Sequence, residues 1–259
     1  MSQNNKTHFG FKTIEKDKKS SLVGNIFSNV ATKYDLMNDL MSGSVHRHWK
    51  NQMVKEVDLC KQDNSDAKKI CKIIDVAGGT GDIAFRLAKK SIKENINCHI
   101  EVADINQEML EVGKEKNINK YGFNNLEFIC MNGENLKFAD NSFDFYTIAF
   151  GIRNFTDIEK GLSEAKRILK KDGKFICLEF SKVNDYFLQK IYDCYSFKII
   201  PKIGDLILKD KNSYQYLVES IRKFPNQDDF SQMIKNAGFK NIDYKNLSFG
   251  TAAIHTAYA

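Results

Sequence analysis

Residues 72–90 read KIIDVAGGTGDIAFRLAKK, an apolar run that passes without a spacer into a glycine-rich turn and then into a helical pattern. The motif is the start of an alternation. KIIDV (72–76) predicts a strand, and GDIAFRLAKK (81–90) a helix with apolar residues at helical spacing. CHIEVAD (98–104) is the next strand, followed by a helix through Met109, Leu110 and Val112. LEFICM (126–131), FDFYTIAF (143–150) and KFICLEF (174–180) supply three more strands. Between the last two lies IEKGLSEAKRILKKDG, an amphipathic helix closed by basic residues and Gly173. Such alternation predicts an α/β fold, with a mostly parallel sheet covered by helices on both faces. The end of the chain departs from it. A helix around DFSQMIKNAG (229–238) leads to FKNIDYKNL, a Ser248–Gly250 loop and TAAIHTAYA, which predict an antiparallel hairpin at one sheet edge.

With 259 residues, 42% of them hydrophobic, only two prolines and no Ser/Gly/Pro-rich linker, the chain reads as one domain. Within it, residues 1–60 read as a helical, polar-aromatic segment, 70–182 as the alternating core, 183–225 as an inserted cap and 226–259 as the last helix and hairpin. The net charge of +6, from 39 basic and 33 acidic residues, is modest and spread along the chain. Lys16, Lys18 and Lys19 form the densest cluster, a solvated tail rather than a nucleic-acid arm. The balance suits an anionic membrane surface. Six cysteines show no CxxC pair and no metal-ligand spacing, and several lie in strand-like runs, which implies a reducing compartment. No apolar run reaches transmembrane length, and MSQNNKTHFGF lacks both a signal core and an amphipathic presequence. The expectation is a chain that stays where it is made.

The loop Ala77-Gly78-Gly79-Thr80-Gly81-Asp82 follows the first strand of the alternation at once. Glycines there let the backbone turn tightly and approach a ligand, and free N–H groups at the helix start favour polar or anionic groups. Gly79-x-Gly81-x-x-Ala84 also satisfies the dinucleotide fingerprint, so an NAD-dependent oxidoreductase is one reading. Asp75, at the end of the strand, favours another. A phosphate loop gains nothing from a carboxylate there, whereas the amino group of S-adenosylmethionine does. Asp104 closes the second strand, where its oxygens can accept both ribose hydroxyls; either cofactor would use it. Asn132 and Gly133, at the end of the third strand, can bond an adenine edge, with Ile105 packing on the ring. These positions all fall beyond the carboxyl ends of strands, where open α/β sheets bind ligands.

Longer stretches are more specific. THFGF (7–11), FSNVATKYDLMND (27–39), DVAGGTGDIAF (75–85), ADINQEML (103–110) and DNSFDFYTIAFGIRN (140–154) are joined by CLEFS (177–181), YSFKIIPKIG (195–204), SYQYLVESIRKFP (213–225) and AIH (253–255). Together they make the chain resemble the ubiquinone/menaquinone biosynthesis C-methyltransferases through nearly its whole length. The resemblance implies a class I, Rossmann-like S-adenosylmethionine-dependent fold with a seven-stranded sheet. The activity it implies is methylation of a ring carbon of a polyprenylated benzoquinol, or of a demethylmenaquinol. Carried over by position, the family's cofactor contacts fall on Thr80, Asp104, Asn132, Gly133 and Ala149. Bacterial relatives can have serine where Ala149 stands, so any contact its hydroxyl makes in them is absent here and only backbone or packing remains. Relatives usually have glycine two places before the His46-Arg47 pair, where this chain has Ser44.

A quinol ring carbon becomes nucleophilic when a ring hydroxyl loses its proton, and phenolic pKa values lie near about 10. Arg153 at the end of FDFYTIAFGIR is therefore expected to face the crevice and stabilise the oxyanion, with Asn154 orienting that oxygen or a water. Its other reading is an ion pair with Asp35, Asp39 or Asp157. Tyr34, on an N-terminal segment expected to fold over the crevice as a lid, can bond the ring oxygen or simply pack as a core aromatic. His46 and His48 stand two apart, wrong for a metal pair on one helix face. Residues 186–208 carry many aromatics and aliphatics and read either as a cap or as a path for the polyprenyl tail that touches the membrane. The resemblance also implies peripheral contact with the bacterial inner membrane or the mitochondrial matrix face, and membership of a quinone-biosynthesis complex. The sequence is silent on oligomeric state, and a homodimer is compatible with it.

Overall fold

The computed structural model describes residues 6–30, 39, 43–59, 70–183 and 211–259. At its centre is a seven-stranded sheet built from β3 (Cys71–Val76), β4 (Cys98–Asp104), β5 (Leu126–Cys130), β6 (Phe143–Ala149), β7 (Leu169–Phe180), β8 (Lys240–Leu247) and β9 (Ala252–Tyr258), in the order β5-β4-β3-β6-β7-β9-β8. The first five pair in parallel, and β9 lies antiparallel between β7 and β8. The parallel half is connected by helices α3 (Asp82–Glu94), α4 (Gln107–Lys116) and α5 (Ile158–Ile168), and α7 (Gln227–Asn236) precedes the edge hairpin.

Helices α4, α5 and α7 start where the sequence supplies a side-chain acceptor for an otherwise unpaired N–H. Asn106 accepts from Met109 N at 3.0 Å, Asp157 from Lys160 N at 3.1 Å and Asn226 from Asp229 N at 2.8 Å. Central strands are apolar on both faces because both faces are covered. Ile73, with Ile100 and Leu87, belongs to a core on one side, and Ile74, with Tyr146, Phe175 and Phe230, to a core on the other.

Two expectations are corrected. The predicted helix 158–173 ends at Ile168, and Leu169 already pairs with Phe143 as the first residue of β7. The basic run Lys170-Lys171 thus belongs to the strand, and Lys170 is held at 2.7 Å from Asp144. Residues 1–60 are not uniformly helical either. Lys6–Phe9 (β1) and Lys12–Glu15 (β2) form an antiparallel hairpin before the helices α1 (Lys16–Val30) and α2 (His46–Lys55). A hairpin this short is not stable alone. It is held by α6 (Lys211–Lys223): Phe9 stacks on Tyr216 with centroids 4.4 Å apart, and Glu219 accepts from Phe11 N at 2.9 Å. Contacts more than 200 residues away in sequence decide the hairpin, so local periodicity did not reveal it. Tyr34 and Asp35 lie outside the described residues, as do residues 184–210, which contain the whole of the expected tail path, 186–208.

Helix α4 packs on the glycine loop through Gly113. A Cβ there would fall 2.6 Å from the Phe128 ring and 3.2 Å from the Thr80 carbonyl group. Gly113→Ala is expected to cost about 1–3 kcal/mol by overpacking, read from the shift in urea-unfolding midpoint. A midpoint equal to that of the parent would show that the helix can move off the loop freely.

Candidate active site

A cleft opens at the carboxyl ends of β3, β4, β5 and β6, with about 1030 Å³ of space when the part open to solvent is counted. Its floor is the glycine loop after β3 and the turn after β6; Ser20, Val23, Gly24 and Phe27 of α1 line it from the N-terminal segment. Asn106 fastens that helix in place, donating from Nδ2 to Gly24 O at 3.1 Å and to Ser28 Oγ at 2.9 Å.

Asp75 is buried beneath the loop. Thr147 donates its hydroxyl to Oδ1 at 2.8 Å, while Oδ2 has no hydrogen-bond partner. Burial pushes this carboxyl up to about 7, against the pull of the Thr147 bond and the Lys50 charge. Gly78 cannot carry a side chain, since a Cβ would meet Asp75 Oδ2 at 2.9 Å and Val102 at 2.7 Å. Gly79 and Gly81 turn the chain through positive φ of 53° and 82°. Gly79 lines the cleft, whereas Gly81 caps α3 behind it, packed against Phe128 and Phe85.

Asp104 accepts from Gly79 N at 2.9 Å and from Asn106 N at 2.8 Å. Burial raises its carboxyl to about 6, and those backbone donors pull the other way. Ile105 beside it is 44% exposed, an apolar face left open to the cleft. Thr80, Asn132, Gly133 and Ala149 line the same cleft. Asn132 accepts from Glu134 N at 2.9 Å, and a Cβ on Gly133 would strike Phe155 at 2.5 Å. Ser44, where the resemblance led to an expected glycine, adopts a left-handed φ of 65°, a backbone that glycine takes more readily.

Arg153 does not face the cleft. It is 3% exposed, and its Nη1 donates to Glu179 Oε1 at 2.9 Å and to the Phe150 carbonyl, its Nε to Ser220 Oγ at 3.3 Å. The guanidinium lies 5.6 Å from the Phe180 ring centroid. Among the described residues the ion-pair partner is therefore Glu179, not Asp39 or Asp157, and Asp35 lies outside the described residues. Burial pushes the Glu179 carboxyl up, and Arg153 with the Phe180 and Arg153 N–H groups opposes it. A charge expected to open into the crevice is instead neutralised inside the protein. Asn154, the next residue, does line the cleft, and its Oδ1 accepts from Tyr216 OH at 3.0 Å. The stretches FGIRN and YLVESIR, the most specific in the sequence, thus touch each other through Arg153–Ser220 and Asn154–Tyr216.

Two residues escaped the sequence reading, and each left a signal. Glu179 is an acid inside the apolar run KFICLEF, and such an acid requires a cation. Lys50 occupies an apolar stripe: His46, Trp49, Lys50, Met53 and Val54 are the buried face of α2 at helical spacing. Lys50 lines the cleft and donates to Asp82 Oδ2 at 2.8 Å. Burial resists ionisation of Asp82, but Lys50 and Arg86 outweigh it and hold that carboxyl well below its usual range.

The sheet order with its antiparallel edge hairpin, and an acid-lined cleft over a glycine loop, define a class I S-adenosylmethionine-dependent methyltransferase. The fold is similar to the crystal structure of a SAM-dependent methyltransferase from Aquifex aeolicus, at 18% identity and TM-score 0.53 over 81% of this chain and 88% of that one. A possible histamine N-methyltransferase from Thermotoga maritima matches at 19% identity and TM-score 0.58 over 90% of this chain and 98% of that one. At such identities the likeness shows the fold alone. The family model described as the ubiE/COQ5 methyltransferase family matches residues 12–259, and the chain belongs to that family. Similar curated relatives are the ubiquinone/menaquinone biosynthesis C-methyltransferases UbiE of Rickettsia bellii (strain RML369-C), 54% identical over 98% of this chain and 99% of the relative, and of Rickettsia typhi, 54% identical over 97% and 98%. The oxidoreductase reading of Gly79–Ala84 is not supported: the family matched is one of methyltransferases.

Asp75→Asn removes a carboxyl whose folded-state pKa of about 7 lies above its unfolded value. The folded state then holds a proton that the unfolded state has released, so the stability it contributes declines as pH rises from about 4 to about 7. The variant is expected to be more stable than the parent near pH ~8, by at most about 4 kcal/mol, and equal to it near pH ~4. Urea unfolding at both pH values reads this; a variant less stable near pH ~8 counts against burial as the dominant cause. Glu179→Gln leaves a buried guanidinium without its counter-charge and is expected to cost about 3–5 kcal/mol, measured in the same way. Loss below ~1 kcal/mol would mean that the guanidinium finds another partner.

Proposed function

We propose that this protein is the C-methyltransferase of ubiquinone and menaquinone biosynthesis that methylates a ring carbon of a polyprenylated benzoquinol, with demethylmenaquinol as a second acceptor. The observation that carries the reading is the family match over residues 12–259, together with 54% identity to proteins of that name. The cleft fits the cofactor. Its orphaned Asp75 Oδ2 is a buried acceptor without a donor, and the ammonium of S-adenosylmethionine is such a donor. When bound, that cofactor supplies a methyl group made electrophilic by its sulfonium.

Asp104 keeps lone pairs for the ribose hydroxyls after its two backbone bonds, since a carboxylate can accept about four. Ile105 gives the adenine an apolar face, and the Asn132–Gly133 backbone meets its edge. Thr80 and Ala149 border the same space. Across the cleft, Asn154 has Oδ1 engaged by Tyr216, which leaves its Nδ2 hydrogens to donate to the acceptor's ring oxygen. A donor fixed there favours the ionised quinol, which pushes electron density onto the ortho carbon. Arg153 acts as a positioning residue in this scheme. Its pair with Glu179 holds the turn that presents Asn154. Tyr34, outside the described residues, is kept as the second contact to the ring oxygen. A greasy acceptor requires access from a membrane, so peripheral association belongs to the proposal, as does assembly with other enzymes of the pathway. Among the described residues no helix is long and apolar enough to cross a bilayer.

The experiment is product analysis by mass spectrometry after incubation with S-adenosylmethionine and short-tailed benzoquinol and naphthoquinol acceptors. Ring-methylated product is expected from the benzoquinol. Protein that binds S-adenosylhomocysteine yet methylates neither acceptor would sink the substrate assignment, and NADH affinity without S-adenosylhomocysteine affinity would sink the cofactor assignment. Asn154→Leu is expected to lower turnover on the order of 100-fold with cofactor affinity kept; unchanged turnover removes Asn154 from the mechanism.

A further inference from the structure

The cleft contains one cation among its described lining residues. Asp75, Asp82, Asp104 and Glu134 are its acids, and Lys50 is the sole base. Such a balance suits a ligand with net positive charge, but it leaves unexplained why a lysine is buried there at all. Lys50 is 4% exposed, and its ammonium donates to Asp82 Oδ2 at 2.8 Å. An ammonium has three donors. Asp82 is also taken from its other side, by Arg86 Nε to Oδ1 at 2.9 Å. One carboxylate thus serves two cations, and Asp75 is a further carboxyl on which the Lys50 charge acts. Arg86 turns outward toward Asn51, an exposed contact, while Lys50 is the member that borders the cleft. A buried ammonium with three donors, one of them taken by Asp82 Oδ2, has room for a further acceptor.

Resting on the reading of this cleft as a site for S-adenosylmethionine, we propose that Lys50 receives the carboxylate of the cofactor's amino-acid end. The ammonium and carboxylate of an amino acid are attached to one carbon, so their receptors must share one wall of the site. Lys50 is near enough to Asp75 for the lysine charge to act on the aspartate carboxyl, and both border the cleft. The pair forms a clip for a zwitterion: Asp75 Oδ2 takes the ammonium, and Lys50 takes the carboxylate. Because Lys50 comes from α2 and Asp75 from β3, the bound amino-acid end would bridge the N-terminal segment to the sheet. The clip makes the site selective for a cofactor that keeps its carboxylate.

Calorimetric titration of S-adenosylhomocysteine and of decarboxylated S-adenosylhomocysteine into the parent protein, Lys50→Met and Lys50→Arg tests this. The two ligands share nucleoside, sulfur and ammonium and differ only in the carboxylate. The parent is expected to prefer the carboxylate-bearing ligand by at least about 30-fold, the factor for losing a buried charged hydrogen bond. Lys50→Met should erase that preference while binding the decarboxylated ligand within about threefold of the parent, and Lys50→Arg should keep most of it. Equal weakening of both ligands in Lys50→Met would make Lys50 a strut for Asp82 and overturn the proposal. So would a parent protein without preference, a result that stands even if the methionine variant does not fold. A parent that binds neither ligand would instead remove the cofactor reading itself.

Discussion

A guanidinium that is 3% exposed obliges the protein to build around it. Taking that charge from water costs several kcal/mol, recovered only where every donor meets an acceptor. Arg153 finds a carboxylate on β7, a carbonyl at the end of β6, a hydroxyl on α6 and an aromatic face on Phe180. Those partners come from three elements, so one side chain ties the end of the sheet to a helix far along the chain. That helix then stacks Tyr216 on Phe9, accepts from Phe11 N through Glu219 and bonds Asn154. Lys19 of α1 completes the arrangement by donating to the Phe155 carbonyl at 2.7 Å, just beyond the same turn. The N-terminal hairpin, the helix bordering the cleft and the turn after β6 are therefore one packed unit.

The cleft beside that unit is held in a costly state. Ala77 and Phe150, at the ends of neighbouring strands, sit in left-handed backbone at φ 50° and 57°. Such conformations cost on the order of 1–3 kcal/mol each and gather where function requires them. Two carboxyls, Asp75 and Asp104, are pushed up by burial in the same place. Strain and buried acid both lower the stability of the empty protein, and a cationic ligand relieves the second. In the proposed reading, affinity for a cofactor that brings an ammonium and ribose hydroxyls to these acids and their cost to stability are two sides of one electrostatic arrangement.

Much of this was legible along the chain because it rests on local rules. The glycine loop needed left-handed turns, and Gly79 and Gly81 occupy them. Apolar runs bounded by turn residues mark strands covered on both faces, and all of those named in the sequence are found. Since parallel strands deliver their carboxyl ends to one edge, Asp75, Asp104, Asn132 and Ala149 gather at a single cleft. Arg153 obeyed a different logic. Its position after a strand is local, but its direction depends on Glu179 of the neighbouring strand and Ser220 of a distant helix. Lys50 was hidden by its company, a polar head on an otherwise apolar helical stripe, and a lysine stem packs in such a stripe as an aliphatic chain does.

What the sequence determined by itself is the sheet, its helices and the family, since periodicity, capping and turn chemistry act over a few residues and long motifs name their kin. What only the tertiary structure decided is where each charge goes. A permanent cation must find an anion within a few ångströms, and whether that anion is substrate, cofactor or Glu179 is fixed by which strands and helices lie side by side. That is a matter of three-dimensional distance, and no spacing along the chain encodes it.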